Sequence, residues 1–401
     1  MGKRILVVSQ HYWPENFRIT DICEGFAADG FSVDVLCGLP NYPKGEWFAG
    51  YSYAGPRTEA HGGVRILRAG EIRRKGNTSL RIFLNYVSFP LTALCNLWRL
   101  RGPYDAVFCY ETSPVLMLLP AIVYAKLHRL PLTAYVLDLW PENLYSVLPI
   151  RNRFLRAAAR GVSHWLYRRC DTLIGMSPSL GRALEEISPR ARIAVIPQYC
   201  EDFYARDVED AALAARLGGR FNVVFTGNIS PAQDLGLLVE CARRLRDAGR
   251  QDIRFVLVGD GMSRAALERE VAQAGVENWF SFEGQHPAAE IPRYTSLAGA
   301  LFAALADSAD LGLTVPAKIT SYLAAGRPCL VAVNGEAARV VEDAGCGLTS
   351  RAGDAGALYE NLLCLAAMDR AARDEMGRRG RAYYRAHFSR SLLLEQLESL
   401  F

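Results

Sequence analysis

The chain lacks any apolar run long enough to cross a bilayer. Its longest nearly uncharged stretch, PVLMLLPAIVYA (114–125), is about half of the ~20 residues a spanning helix needs, and reads as a buried helix. The N-terminal MGKRILVVSQ runs straight into a strand-like segment, with no long apolar region and no small-residue cleavage site, so no signal peptide is expected. The ten cysteines are scattered and none forms a Cys-x-x-Cys pair. That argues against a zinc ribbon and fits a reducing cytoplasm. No element resembles an RNA- or DNA-reading motif, and no internal repeat of solenoid length is evident.

What is present is a chain of 401 residues, half of them apolar, too long for one typical domain, so two domains are expected. The net charge of +4 hides a division. Residues 1–199 hold 24 Lys and Arg against 15 Asp and Glu, whereas the remainder holds 22 against 27. Much of the basic excess lies in SLRIFLNYVSFPLTALCNLWRLRG (79–102) and RNRFLRAAARGVSHWLYRR (151–169), where Arg alternates with Phe, Trp, Tyr and Leu. Such segments either lie on a membrane surface or pack on a sheet by their apolar face with Arg in water.

Short apolar, β-branched runs alternate with helical patterns throughout. The strands expected in the first half are 4–10, 31–38, 64–70, 105–111, 132–139 and 172–177; those in the second are 221–227, 253–260, 279–284, 299–305 and 329–333. This alternation predicts parallel sheets covered on both faces. The polar stretch IPQYCEDFYARDVEDAALAARLGG (196–219) interrupts it. The expected domains are therefore 1–200 and 201–385, with a C-terminal helix over 386–401 whose apolar spacing suits docking back on the first.

Ligands of open α/β sheets bind beyond the carboxyl ends of the strands. In the second half, glycine recurs there: Gly227-Asn228, Gly259-Asp260-Gly261, Gly284-Gln285-His286 and Asn334-Gly335-Glu336. Glycine lets backbone N–H groups approach a phosphate closely. PAKITSYLAAGRP (316–328) follows the fourth strand. Pro316 suits a helix start, Gly326 a left-handed stop, and Pro328 blocks continuation. Lys318 then puts a cation at the positive end of the helix. It is either an exposed lysine screened by water or one half of an anion site.

These segments resemble the donor domain of glycosyltransferase family 4. FTGNISPAQDLGLLVEC, VLVGDGMSRAALE, FEGQ and PAKITSYLAAGRPCLVAVNGE occur in that family's order and spacing. ILVVSQHYWPENFRITDICEGFAADGFSVDVLCGLPNYPKG and LDLWPENL are similar to bacterial surface-polysaccharide transferases of the L-fucosamine and colanic acid type. The resemblance implies the GT-B fold, two Rossmann-like α/β domains with parallel sheets facing an interdomain cleft. It also implies a nucleotide-sugar donor, UDP- or GDP-linked, in the C-terminal domain, and a lipid-linked sugar acceptor in the N-terminal domain. Transfer would proceed with retention and without a metal or other cofactor, at the cytoplasmic face of the inner membrane, in making O-antigen, capsule or exopolysaccharide. Carried over by position, Gly227 and Asn228 would meet the diphosphate, Gly259 and Gly261 would form the next loop, and Gly284, Gln285 and His286 would hold the base.

The chain departs from the family where the diphosphate is normally clamped by Arg and Lys: Asn228 and Gln233 stand there. Two glutamates of the family pattern are replaced by Leu313 and Ser321, and the second of them normally holds ribose. With the usual cations gone, Lys318 is the expected source of positive potential for the leaving group, with Arg264 second; Glu336 completes the donor candidates. On the acceptor side, HYWPENFR (11–18) and DLWPEN (138–143) each carry Trp-Pro-Glu beyond a strand. His11, Trp13, Glu15, Arg18, Glu111, Asp138, Trp140 and Glu142 are the acceptor candidates, with Asp138 and Glu142 also considered for catalysis. Each Trp either stacks on a sugar face or packs beneath a helix start. Asp138, after a run of apolar residues, is expected to be partly buried with a raised pKa. A nucleotide-sugar 2-epimerase of the same architecture and a non-catalytic transferase-derived binding protein remain as other readings.

Overall fold

The computed structural model describes residues 2–141, 152–308 and 311–401. It divides into two compact units, Met1–Ile196 with Leu394–Phe401, and Pro197–Leu393.

In the first unit, β1 (Arg4–Val8), β2 (Ser32–Cys37), β3 (Thr58–His61), β4 (Val64–Arg68), β5 (Ala106–Glu111), β6 (Leu132–Val136), β7 (Thr172–Gly175) and β8 (Arg192–Val195) form one sheet. Its order is β3-β4-β2-β1-β5-β6-β7-β8. Every pairing is parallel except β3 with β4. That pair turns through Gly62 and Gly63, both at positive φ (55° and 80°), the backbone a two-residue hairpin requires. The central strands are apolar and covered on both faces, as parallel sheets demand. The helices Ser79–Cys95, Leu118–His128 and Arg153–Tyr167 share one core cluster on one side, with Phe89, Met117 and Tyr167 buried in it. PVLMLLPAIVYA lies in this layer, as a 3-10 turn at Val115–Met117 followed by the helix.

In the second unit, β9 (Phe221–Thr226), β10 (Ile253–Val258), β11 (Phe280–Gly284), β12 (Ala300–Ala304), β13 (Cys329–Ala332) and β14 (Gly347–Ser350) pair in parallel. The order β11-β10-β9-β12-β13-β14 reverses direction next to β9, which puts a ligand-binding edge beyond β9 and β12. Two core clusters cover its two faces.

The strands expected from sequence all form, ending one to three residues earlier at several carboxyl ends. β3, β8 and β14 were not anticipated. Each lies at a sheet edge, is four residues long, and carries largely half-exposed side chains, so none has an apolar run to announce it. The C-terminal segment comprises two helices, Arg370–His387 and Arg390–Glu398. The second returns the chain to the first unit, where the Phe401 ring packs edge-on against Phe26 and Phe108. No described helix is long and apolar enough to cross a membrane.

Candidate functional site

The second unit gathers its glycine loops into one layer beyond the sheet. The Gly227 N–H donates to the Val258 carbonyl (2.9 Å), the Gly259 N–H to the Gly284 carbonyl (2.7 Å), and the Ile229 N–H to the Asp260 carbonyl (2.8 Å). The fit is closest at Gly259 (φ 144°), where a Cβ would lie 1.9 Å from the Gly227 carbonyl oxygen. A Cβ at Gly261 would meet the Ile229 carbonyl oxygen at 2.3 Å and Asn228 Oδ1 at 2.4 Å. Gly227 and Asn228 are exposed above this layer.

Lys318 enters from the side. Its helix spans Ala317–Ala325, with Pro316 as the capping residue just before it and Gly326 at φ 68° just after. The Tyr322 hydroxyl fixes the helix to the sheet, accepting from the Thr226 N–H (3.0 Å) and donating to the Phe302 carbonyl (3.0 Å). Lys318 Nζ is thereby set over the Phe225 ring, 4.0 Å from its centroid, and beside Gly227. It donates to Gln233 Oε1. Burial pushes its pKa down to about 7, because an enclosed ammonium loses hydration that a ring face and a neutral amide only partly replace. Sequence reasoning missed the roles of Phe225 and Tyr322, which lie within FTGNISPAQ and PAKITSYLAAGRP but give no signal there beyond being aromatic.

The remaining donor candidates are engaged as follows. Ser321 is buried, and its hydroxyl donates to the Lys318 carbonyl (2.9 Å). Arg264 reaches Glu268 (2.8 Å) and Asp260 (3.7 Å), so part of its charge is met within the unit. Its guanidinium lies beside Gly284. The two nitrogens of His286 contact Glu290 (3.3 Å) and the Tyr294 hydroxyl (2.9 Å). Glu336 is buried in the first turn of its helix and pairs with Arg339 at 3.2 Å. Gln285 is exposed.

In the first unit, His11 and Glu15 belong to a buried polar network. Glu15 meets His11 Nδ1 at 2.8 Å and accepts from the Asn41 and Tyr42 N–H groups at 2.6 and 2.7 Å. Arg74 donates to His11 Nε2 (3.2 Å) and to Asn85 Oδ1 (2.9 Å). Gln10 joins Asn85 to Glu71, whose pKa is raised by burial and by the Glu15 charge. Both side chains thus hold the 38–42 loop in place. Asn41, Arg74 and Asn85 were not anticipated because only the fold brings them to His11.

The two Trp-Pro-Glu segments differ. Trp13 is half-buried and stacks on His61 at 4.1 Å. Trp140 is only 5 % exposed; its ring meets Tyr86 edge-on and its indole N–H donates to Ser113 Oγ (2.9 Å). Its burial matches the packing alternative for Trp140 rather than the sugar-stacking one. Arg18 opens the helix Arg18–Ala28 and is half-buried, as is Asp138. Glu111 is fully buried. Glu142 lies outside the described residues, and no cluster of three or more His, Cys, Asp or Glu able to hold a metal occurs among them.

Comparison with known proteins decides what these layers belong to. A family model described as "Glycosyl transferase 4-like domain" matches residues 16–198, and one described as "Glycosyl transferases group 1" matches residues 220–368. The chain is a glycosyltransferase of the GT-B type. The transferase is 26 % identical over 354 residues to the putative colanic acid biosynthesis glycosyl transferase WcaI of Escherichia coli, covering 80 % of this chain and 81 % of that one. It is 30 % identical over 243 residues to the 2-deoxystreptamine glucosyltransferase of Streptomyces kanamyceticus, a match spanning 57 % of this chain and 61 % of that enzyme. Among solved structures, sucrose-phosphate synthase of Thermosynechococcus elongatus superposes with a TM-score of 0.73 at 16 % identity, covering 100 % of this chain and 98 % of that one. Anabaena HepE in complex with UDP superposes with a TM-score of 0.71 at 15 % identity, covering 99 % of each chain.

Proposed function

We propose that this transferase moves a sugar from a nucleotide-sugar, UDP-linked, to a lipid-linked saccharide during surface-polysaccharide synthesis, with retention of configuration and no metal. The observation that carries the reading is Lys318: a part-buried cation held between a neutral amide and a ring face, set beside the glycine loops. A diphosphate there would supply the missing counter-charge. As the sugar departs, negative charge grows on the leaving oxygen, and a fixed ammonium with the first N–H groups of its helix stabilises it without reorganisation. Asn228 and Gln233 act as neutral partners, the second by orienting Lys318. Arg264 and the Gly284-Gln285-His286 turn face the nucleoside, and Asp138 faces the acceptor. The bound UDP of HepE and the likeness to WcaI support the donor and pathway assignments.

The acceptor reading draws on the helical layer of the first unit. Trp98 is 82 % and Phe154 73 % exposed, beside exposed Leu80, Phe83, Leu91, Leu155 and Trp165. The segments bearing them contain no acidic residue. Both helices pack on the same side of the sheet, against Leu118–His128. Arginines interleaved with exposed aromatics suit an anionic lipid surface, at about 1 kcal/mol per basic residue near it. The expected localisation is therefore the cytoplasmic face of the inner membrane. Flotation with phosphatidylcholine vesicles, with and without phosphatidylglycerol, should show binding only to the anionic set, weakened by salt. Trp98→Ser with Phe154→Ser should reduce it by about tenfold or more; undiminished binding would remove these helices from the contact.

The activity is tested by incubating the protein with UDP- and GDP-sugars, with and without lipid extract. Transfer requires release of the nucleoside diphosphate that depends on the extract. A 2-epimerase would act without lipid, and a non-catalytic protein would release nothing.

A further inference from the structure

Glu111 ends β5 inside the core, fully buried. Its Oε2 accepts from the Tyr167 hydroxyl at 3.4 Å, and its Oε1 has no partner among the described residues. The charged group that acts on it is another carboxylate, Asp138. A buried, ionised carboxylate needs a cation or several donors, and this one has a single long hydrogen bond. The same Tyr167 hydroxyl accepts the Trp140 N–H at 3.2 Å. The Glu111 carbonyl accepts the Leu137 N–H at 3.0 Å, and Trp140 is held through its indole to Ser113, two residues beyond Glu111. Residues 137–140, which carry Asp138, are thus tied to the end of β5 at three points.

We propose that Glu111 is a positioning residue that works as a neutral carboxylic acid, holding the Asp138-bearing segment through Tyr167. The direction of its pKa agrees: burial raises it well above the usual carboxylate range, and the Asp138 charge raises it further. A fully buried carboxyl does not ionise readily when a second carboxylate's charge acts on it. The proposal reassigns Glu111 from acceptor contact to support, and rests on the reading of Asp138 as an acceptor-side residue.

Infrared difference spectra of the full chain, wild type minus Glu111→Gln, test it without any substrate. At about pH 8 exposed carboxyls are ionised, so the carbonyl stretch of a protonated acid should stand out in the wild type and vanish in the variant. Tyr167→Phe, which removes the hydroxyl, should shift that band rather than abolish it. Loss of an ionised-carboxylate band instead, or a band insensitive to both substitutions, would overturn the proposal. In the lipid-dependent diphosphate-release assay, Glu111→Gln should cost less than about threefold in kcat and Glu111→Ala more than about tenfold, since Gln keeps the shape and neutrality of the acid. A Gln variant as impaired as Ala would also overturn it. Asp138→Asn separates the two ideas: wild-type turnover in that variant would end the acceptor-side reading of Asp138, while the infrared result would still decide the protonation of Glu111.

Discussion

Lys318→Ala is expected to lower turnover at least about tenfold with donor at saturation, while the unliganded protein stays as stable as before or becomes more so. The first effect follows from removing the fixed cation nearest the glycine loops, in a site where one preorganised donor is commonly worth a hundredfold or so in kcat. The second follows from the depressed pKa of about 7. A base whose folded pKa lies below its unfolded value of ~10.4 destabilises the fold while it is charged. That cost is fully present below pH 7 and fades as pH rises from about 7 to about 10. Removing the ammonium removes the cost, so Tm should not fall. A large loss of Tm in Lys318→Met would mean that the side chain is a structural tie. Unchanged turnover in Lys318→Ala would place the leaving group elsewhere.

Gly259→Ala should abolish tight donor binding through the backbone alone. The added Cβ would sit 1.9 Å from the Gly227 carbonyl oxygen, and φ is 144°. A clash of Cβ with main chain has no flexible end to yield, so the β9 and β10 loops must separate. Positive φ costs a further ~1–3 kcal/mol for a residue with a side chain. UDP titration should show a loss of about a hundredfold or more in affinity with a fall in Tm. Gly249→Ala is the control, because it also has positive φ (70°) but nothing within 4 Å of the new Cβ. It should lose some stability from the strained backbone and retain UDP binding. Equal loss in both variants would show that backbone strain, not loop contact, is responsible.

The donor half of this picture was legible in the sequence because its determinants are local. Glycine where strand meets helix, and Pro316 and Gly326 bracketing Lys318, report backbone conformations that few other residues adopt. The structure moves the helix start by one residue and supplies what spacing does not encode: the Phe225 ring beneath the ammonium and the Tyr322 hydroxyl that aims the helix. The acceptor half was less legible. Two Trp-Pro-Glu segments look alike as text, yet Trp140 packs in the core and Trp13 stacks on His61 at half-exposure. The difference arises from which neighbouring strand and helix lie against each ring, a long-range property. His11 and Glu15 likewise serve a network whose other members, Asn41, Glu71, Arg74 and Asn85, lie up to 74 residues further along the chain and converge only through strand order. Edge strands β3, β8 and β14 escaped because a strand with one paired side needs little apolar sequence.

The most direct test of the central assignment is proton uptake on UDP binding, measured by titration calorimetry at about pH 8 in two buffers of different ionisation enthalpy. If the diphosphate sits against Lys318, binding restores the ammonium to its usual range. The wild type should then take up close to one proton per UDP, bind about tenfold more weakly for each pH unit above 7, and lose both behaviours in Lys318→Met. Binding without proton uptake and without pH dependence in the wild type would contradict the placement of the diphosphate at this helix.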